Sequence, residues 1–117
     1  MNAALMDAKQ LASRYMHIVF ENGDLDELYR IFHPALQFEG PLFKFASAEE
    51  YIEALKNSPP DQFGYEMIHA FEHDTTACLI YRFTKPGVTT TMAQTFEVHH
   101  NRITHIQLIF DSSAFQT

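Results

Sequence analysis

The side chains able to do chemistry in this chain are imidazoles, phenols, one amide and one strand-end carboxylate. In Tyr65-Glu66-Met67-Ile68-His69-Ala70-Phe71 the two-residue spacing sets His69 between Met67 and Phe71, an imidazole on an apolar strand face. Such a group titrates near neutrality and is suited to take and return a proton; the ordinary alternative is a core histidine satisfied by one hydrogen bond. Asp111 closes the last apolar run and reads either as a carboxylate at a pocket mouth or as a solvated strand end. Tyr15, Tyr51 and Tyr81 each combine a hydroxyl that can orient a carbonyl or phenol with a ring that can simply pack.

Seven histidines invite a metal reading, and their spacing argues against it. His69 and His73 are four apart on a strand, about 13 Å at ~3.3 Å per residue, too far to share an ion. His99 and His100 point to opposite faces, and His17 and His33 belong to different helices or their flanks. There is no Gly-x-Ser-x-Gly, no phosphate-cradling glycine loop and no cysteine–histidine nucleophile pair, so neither a metal nor a cofactor is expected.

The elements that must position these groups come from a chain of 117 residues, 46% hydrophobic, long enough for one core and too short for two ordinary domains. One domain spanning 1–117 is expected. Eight basic residues against 15 acidic give −7, a surface that repels a phosphate backbone, so nucleic acid is not the expected partner. Cys78 is the only cysteine and has no internal disulfide partner, which fits a reducing cytoplasm. No apolar run approaches the ~18 residues of a bilayer span, and the N-terminus lacks a basic segment followed by an apolar stretch. The expectation is an untargeted protein with no membrane partner. Eleven phenylalanines and five tyrosines exceed what a minimal core needs; ordinary core packing explains most of them, and the surplus points to an aromatic-walled cavity.

From Ala4 to Phe20, the residues Ala8, Leu11, Ala12, Tyr15, Ile18 and Val19 recur at three-to-four-residue spacing, which predicts an amphipathic helix. Asn22-Gly23 tolerates positive φ at its end, and Asp24 with Glu27 predicts a capped restart whose stripe is Leu25, Leu28 and Phe32. Pro34 stops that helix. Leu36 to Glu39 alternates as a short strand broken by Gly40-Pro41, and Ser47-Ala48-Glu49-Glu50 opens a third helix, with Tyr51, Ile52 and Leu55 inward, that ends at Asn57-Ser58-Pro59-Pro60-Asp61. Four strands follow, Tyr65 to His73, Thr76 to Thr84, Thr89 to His99 and Ile103 to Asp111, with hairpin turns at 73–74, 85–87 and 100–101. Helices first and an antiparallel meander second means α+β, and the tail Ser112 to Thr117 is expected to be loosely held.

The Gly-Asp-Leu-Asp restart, the Phe-Glu-Gly-Pro strand end at residues 38–41 and the late hairpin Phe96-Glu97-Val98-His99-His100-Asn101-Arg102-Ile103 resemble the nuclear-transport-factor-2-like superfamily, more narrowly its SnoaL-like and ketosteroid-isomerase-like branches. The resemblance runs from about Leu11 to Asp111. It implies a strongly curved antiparallel sheet wrapped around three N-terminal helices into a cone, with an apolar pocket inside. Placing Gln94 inward takes Met92, Phe96 and Val98 with it, and also Leu79, Tyr81, Phe83, Ile106, Leu108 and Phe110; Thr95, Glu97, His105, Gln107 and Ile109 then face out. The resemblance also implies a homodimer through the outer sheet face, where Ile109 fits the contact.

Carried over residue by residue, the isomerase base at the end of the first strand falls on Gly40, which has no side chain. The second oxyanion donor falls on Gln94 and the helix-one tyrosine on Met16, with Tyr15 adjacent. A SnoaL-like cyclase instead uses polar cavity residues for proton transfer, here His69, Asp111 and Tyr15 as the catalytic candidates. Gln94, Tyr81, Phe38, Phe83, Met92, Phe96, Tyr51, Leu108 and Phe110 are the candidate ligand contacts. Two readings stay open: a cofactor-independent isomerase or cyclase acting on an apolar carbonyl-bearing ligand, and a non-catalytic ligand-binding or dimerising module.

Overall fold

The computed structural model describes residues 6–60 and 62–115. Helix α1, Ala8–Phe20, begins with a reciprocal capping box: the Asp7 carboxylate accepts from Gln10 N at 2.8 Å, and Gln10 Oε1 accepts from Asp7 N at 2.9 Å. The expected start at Ala4 lies outside the described residues. Leu11, Tyr15, Ile18 and their neighbours bury one face of α1, each large apolar side chain contributing about 1.5–3 kcal/mol relative to exposure. At its end Asn22 takes φ 60° and Gly23 N returns to Ile18 O at 3.1 Å. Gly23 is required by proximity, because a Cβ there would sit 2.8 Å from Ile18 Cα.

The restart is shorter than its stripe suggested. A 3-10 turn, Leu25–Glu27, leads into one turn of helix α2, Leu28–Ile31. Asp24 caps Asp26 N at 2.9 Å, while Glu27 bonds Arg14 instead of reaching back to Asp24. Phe32 opens strand β1, Phe32–Glu39, which is longer than the expected Leu36 to Glu39. Pro34 falls within a register shift between Phe32 and Gln37, a place where its missing N–H costs no ladder bond. A two-residue strand β2, Lys44–Phe45, pairs with β1, and α3, Ala48–Asn57, is capped by Ser47 accepting from Glu50 N.

Strands β3 Gly64–His73, β4 Thr76–Lys85, β5 Val88–His99 and β6 Arg102–Ile109 form the meander, and a 3-10 turn, Ser112–Phe115, follows. The sheet order is β2-β1-β6-β5-β4-β3. All pairings are antiparallel except β1 with β6, which run parallel, so the α+β cone has a mixed, curled and unclosed sheet. One hydrophobic cluster joins α1, α2, α3 and the concave face of β1, β4, β5 and β6.

Alternation places the expected side chains on that face. Leu79, Tyr81, Phe83, Met92, Gln94, Phe96, Val98 and Ile106 are buried, Leu108 and Phe110 half-buried, and Ile109 is exposed. On β3 the pattern breaks. Met67 pairs with Tyr81 on the concave side, but a bulge at Ile68 makes His69 the partner of Ile80 and Phe71 the partner of Cys78. One extra residue moves every later side chain to the other face.

Candidate functional site

Four polar side chains meet in the apolar interior. Register sets Gln94 opposite Leu79 and Tyr81 opposite Met92, so Tyr81 and Gln94 are diagonal neighbours on the concave face. The Tyr81 hydroxyl donates to Gln94 Oε1 at 2.8 Å, and Gln94 Nε2 donates to the Tyr15 hydroxyl at 3.3 Å. Tyr15, from α1, shares a short hydrogen bond with the hydroxyl of Tyr51, from α3. The relay therefore runs Tyr81, Gln94, Tyr15, Tyr51 and ties α1 and α3 to the sheet. Rings surround it: Tyr15 meets Phe96 edge-on at 5.3 Å, and Tyr51 meets Phe38 at 4.4 Å and stacks on Phe32 at 5.9 Å.

The network is neutral. Burial pushes the Tyr15 phenol up, against the pull of hydrogen bonds from Tyr51 and Gln94. Tyr51 is raised well above the usual phenol range, first by burial and then by the charge Tyr15 would carry if ionised. Burial also raises Tyr81, with Tyr15 adding to it. Gln94 Nε2 donates to the Tyr15 oxygen, and the Tyr15–Tyr51 bond can carry its proton on either hydroxyl.

The catalytic candidates are not brought together. Tyr15 lies at the centre of the interior. His69 is exposed on the edge strand and stacks on Phe71 at 5.6 Å, on the convex side, because the bulge turned it outward. Asp111 is exposed, and its carboxylate accepts from Ser113 N at 3.0 Å and Ser113 Oγ at 2.7 Å. Those two bonds hold it below the usual carboxylate range, and it caps the terminal turn. Gly40, at the isomerase base position, donates its N–H to Phe43 O at 2.9 Å; a Cβ there would face Phe38 Cε1 at 3.4 Å and Leu108 Cβ at 3.6 Å. The helix-one hydroxyl that reaches Gln94 belongs to Tyr15 rather than to the Met16 position.

Among the candidate ligand contacts, Tyr81, Phe38, Phe83, Met92, Phe96 and Tyr51 are buried in the same hydrophobic cluster, with Leu108 and Phe110 at its half-buried margin. Residues that the sequence reading passed over are Phe63, Lys85 and Phe115. Their aromatic and cationic character was visible, but no local pattern joins them. Two surface concavities, of about 290 and 240 Å³, lie elsewhere, at the α1 N-terminus with His99 and His100 and between Tyr29 and Ser47; Gln94 lines neither. Among the described residues, no three His, Cys, Asp or Glu side chains converge as a metal-holding group, and no helix is long and apolar enough to cross a membrane.

A curled sheet closed on its concave side by three helices, over an aromatic interior with a helix-one hydroxyl bonded to a β5 amide, defines a nuclear-transport-factor-2-like protein. The family model for the SnoaL-like domain matches residues 12–106, and the chain belongs to that family. An NTF2-like protein of unknown function from Cytophaga hutchinsonii superposes with a TM-score of 0.86 at 19% identity, covering 100% of both chains. A protein from Kribbella flavida is similar at 25% identity and a TM-score of 0.80, over 93% of this chain and 90% of that one. A Mycobacterium tuberculosis LEH-like epoxide hydrolase aligns at 15% identity and a TM-score of 0.77, over 92% of this chain and 84% of that one. No curated protein matches the chain.

Proposed function

We propose that this chain is a non-catalytic small-molecule container of the SnoaL-like type, which takes an apolar ligand bearing one carbonyl or phenol oxygen. The observation that carries the reading is the chemistry of the interior. Among the described residues, Gln94 and tyrosines are its only polar side chains, and no aspartate, glutamate or histidine is buried. Neutral donors orient an oxygen atom well, whereas proton abstraction needs a base within about 3 Å of the reacting atom. A ligand oxygen would compete for the Gln94 Nε2 donor or the Tyr15 hydroxyl, and the rings would take the apolar body.

The second reading is an isomerase or a polyketide-cyclase-like enzyme, with Tyr15 and Gln94 as donors. The epoxide hydrolase among its structural neighbours, an enzyme on the same fold, favours some catalysis over none. It lacks a base, because Gly40 offers no carboxylate and His69 and Asp111 lie on the surface.

We further propose a single domain, supported by its one hydrophobic cluster, and a homodimer through the convex face, supported by the row His69, Ile80, Ala93, Ile109 across four strands. Its free thiol, Cys78, supports a cytoplasmic setting. Native mass spectrometry for a co-purified ligand, followed by titration of polycyclic ketones and phenols into wild type and Gln94→Leu, tests the reading. Expected is binding by wild type that weakens at least about tenfold in the variant, the loss of one well-placed hydrogen bond. No binding, or equal binding by both, overturns it. Turnover of any such ketone by wild type would favour the enzyme.

A further inference from the structure

The interior network is complete without a ligand, so a ligand's way in must be found where the wall is least anchored. A weakly tied part of that wall is the end of the cone at the C-terminus of α1, where Phe20 meets Phe83. Phe115 lies there with its ring 4.9 Å from Phe110, edge-on, and 5.8 Å from Phe83. Phe83 in turn meets Phe63 at 5.1 Å and Phe20 at 6.1 Å, both edge-on. Phe83 and Phe110 belong to the concave face, and the turn bearing Phe115 packs against β5, which carries Met92 and Gln94.

Two features distinguish Phe115 from ordinary packing. Its turn, Ser112–Phe115, is held by hydrogen bonds that stay within the turn and Asp111: Asp111 accepts from Ser113, and Ala114 N donates to Asp111 O at 3.1 Å. No other hydrogen bond between described residues ties it to the body, so the ring itself is the anchor. The second feature is Lys85. Its ammonium stands 5.0 Å over the Phe115 ring and 5.9 Å over the Phe63 ring, and among the described residues it enters no ion pair. In a chain with 15 acidic and 8 basic residues, this cation is held against rings, with no carboxylate partner among the described residues, beside the apolar slot that Phe115 fills.

We propose that this slot is the ligand's ring site, that Phe115 is its internal occupant, and that the ligand is an aromatic or polycyclic compound carrying an acidic group for Lys85. The proposal rests on the reading of the cone as a ligand container and adds to it the ligand's charge and its entry. Displacing Phe115 exposes Phe83 and Phe110 to the incoming ring, while Lys85 keeps the Phe63 face and turns its ammonium to the ligand's anion. The apparent affinity of the native chain is then lowered by the fraction of molecules in which Phe115 occupies the slot.

The test uses 2-naphthoate and the neutral 2-acetonaphthone as probes, titrated into the full chain by calorimetry. Thermal midpoints of each variant confirm that it is folded, and Phe115→Leu serves if Phe115→Ala is not. The plug-free variant should bind 2-naphthoate about tenfold or more tighter than wild type. Adding Lys85→Gln should take that gain back for 2-naphthoate while changing 2-acetonaphthone by less than about twofold. Equal 2-naphthoate binding by wild type and the plug-free variant, absence of binding in both, or a Lys85→Gln effect equal for the two probes would overturn the proposal. Gln94→Leu separates the two readings: if it leaves ketone binding intact while the Phe115 and Lys85 effects hold, the mouth site stands and the role given to Gln94 fails.

Discussion

Gln94 Nε2 lies 3.3 Å from the hydroxyl of Tyr15, a residue 79 positions earlier, and this bond joins the first helix to the fifth strand in the middle of an apolar core. Because Gln94 is 1% exposed and Tyr15 2%, neither group has water to fall back on. The bond is thus also a constraint on stability.

Replacing Gln94 with leucine removes the acceptor of Tyr81 and a donor to Tyr15. Stranding a buried hydroxyl costs about 1–3 kcal/mol. Tyr81→Phe in the same background should cost less than the sum of the two single changes, since it removes the stranded group. Urea unfolding of the four proteins in a double-mutant cycle measures this, and strict additivity would contradict the relay.

Alkali should find the same network. Tyr15, Tyr51 and Tyr81 have folded pKa values raised above the phenol reference of 10.0, and Tyr65, partly buried and donating to Glu21, is pushed up to about 12. A group with a raised folded value contributes stability that is complete below the unfolded value and lost as pH climbs through the folded one. The unfolding midpoint should therefore hold to about pH 10 and fall beyond it. Ionisation of the three buried phenols, followed at 295 nm, should coincide with unfolding; their titration in a still-folded protein would contradict it.

At the acid end Glu97 responds, alongside Asp111, which its bonds to Ser113 also lower. Hydrogen bonds from Thr75 and from Thr76, the latter at 2.6 Å, lower its pKa below 4.5. A depressed carboxylate contributes stability above its unfolded value and loses it as pH falls through the folded value. Wild type should lose stability below about pH 4.5, and Glu97→Gln should flatten that loss. Parallel acid profiles for the two proteins would contradict the assignment.

Gly23→Ala forces a methyl to within 2.8 Å of Ile18 Cα, where the α1 end and the capped restart touch. Overpacking of this kind costs roughly 1–3 kcal/mol, read as a shift in the urea midpoint at constant slope. An unchanged midpoint would mean that the junction gives way freely.

On the convex face, Ile109 is 50% exposed and Phe71 56%. If that face is the dimer contact, Ile109→Lys should convert a dimer to a monomer by light scattering, with thermal unfolding of the monomer still cooperative. A monomeric wild type, or a variant that remains dimeric, would remove this face from the dimer model.

Much of the cone was legible locally. The stripe of α1, the Ser47 cap and the alternation along β4, β5 and β6 each depend on residues within a few positions of one another, and the structure follows them. His69 shows where that legibility stops. Met67, His69 and Phe71 share a face in an unbroken strand, and nothing in their types announces the bulge at Ile68 that turns the histidine to the convex side. Phe115 was equally opaque, since a tail residue gains meaning only from the rings it lands on.

By itself, then, the sequence determined helices α1 and α3, the meander and which side chains of its last three strands face inward, because periodicity and turn chemistry are properties of short windows. Only the tertiary structure decided that β1 runs parallel to β6, that His69 leaves the interior, and that Tyr15, Tyr51, Tyr81 and Gln94 form one relay. Those outcomes depend on strand registers and on contacts across 36 and 79 residues, energies that exist only once the chain has closed on itself.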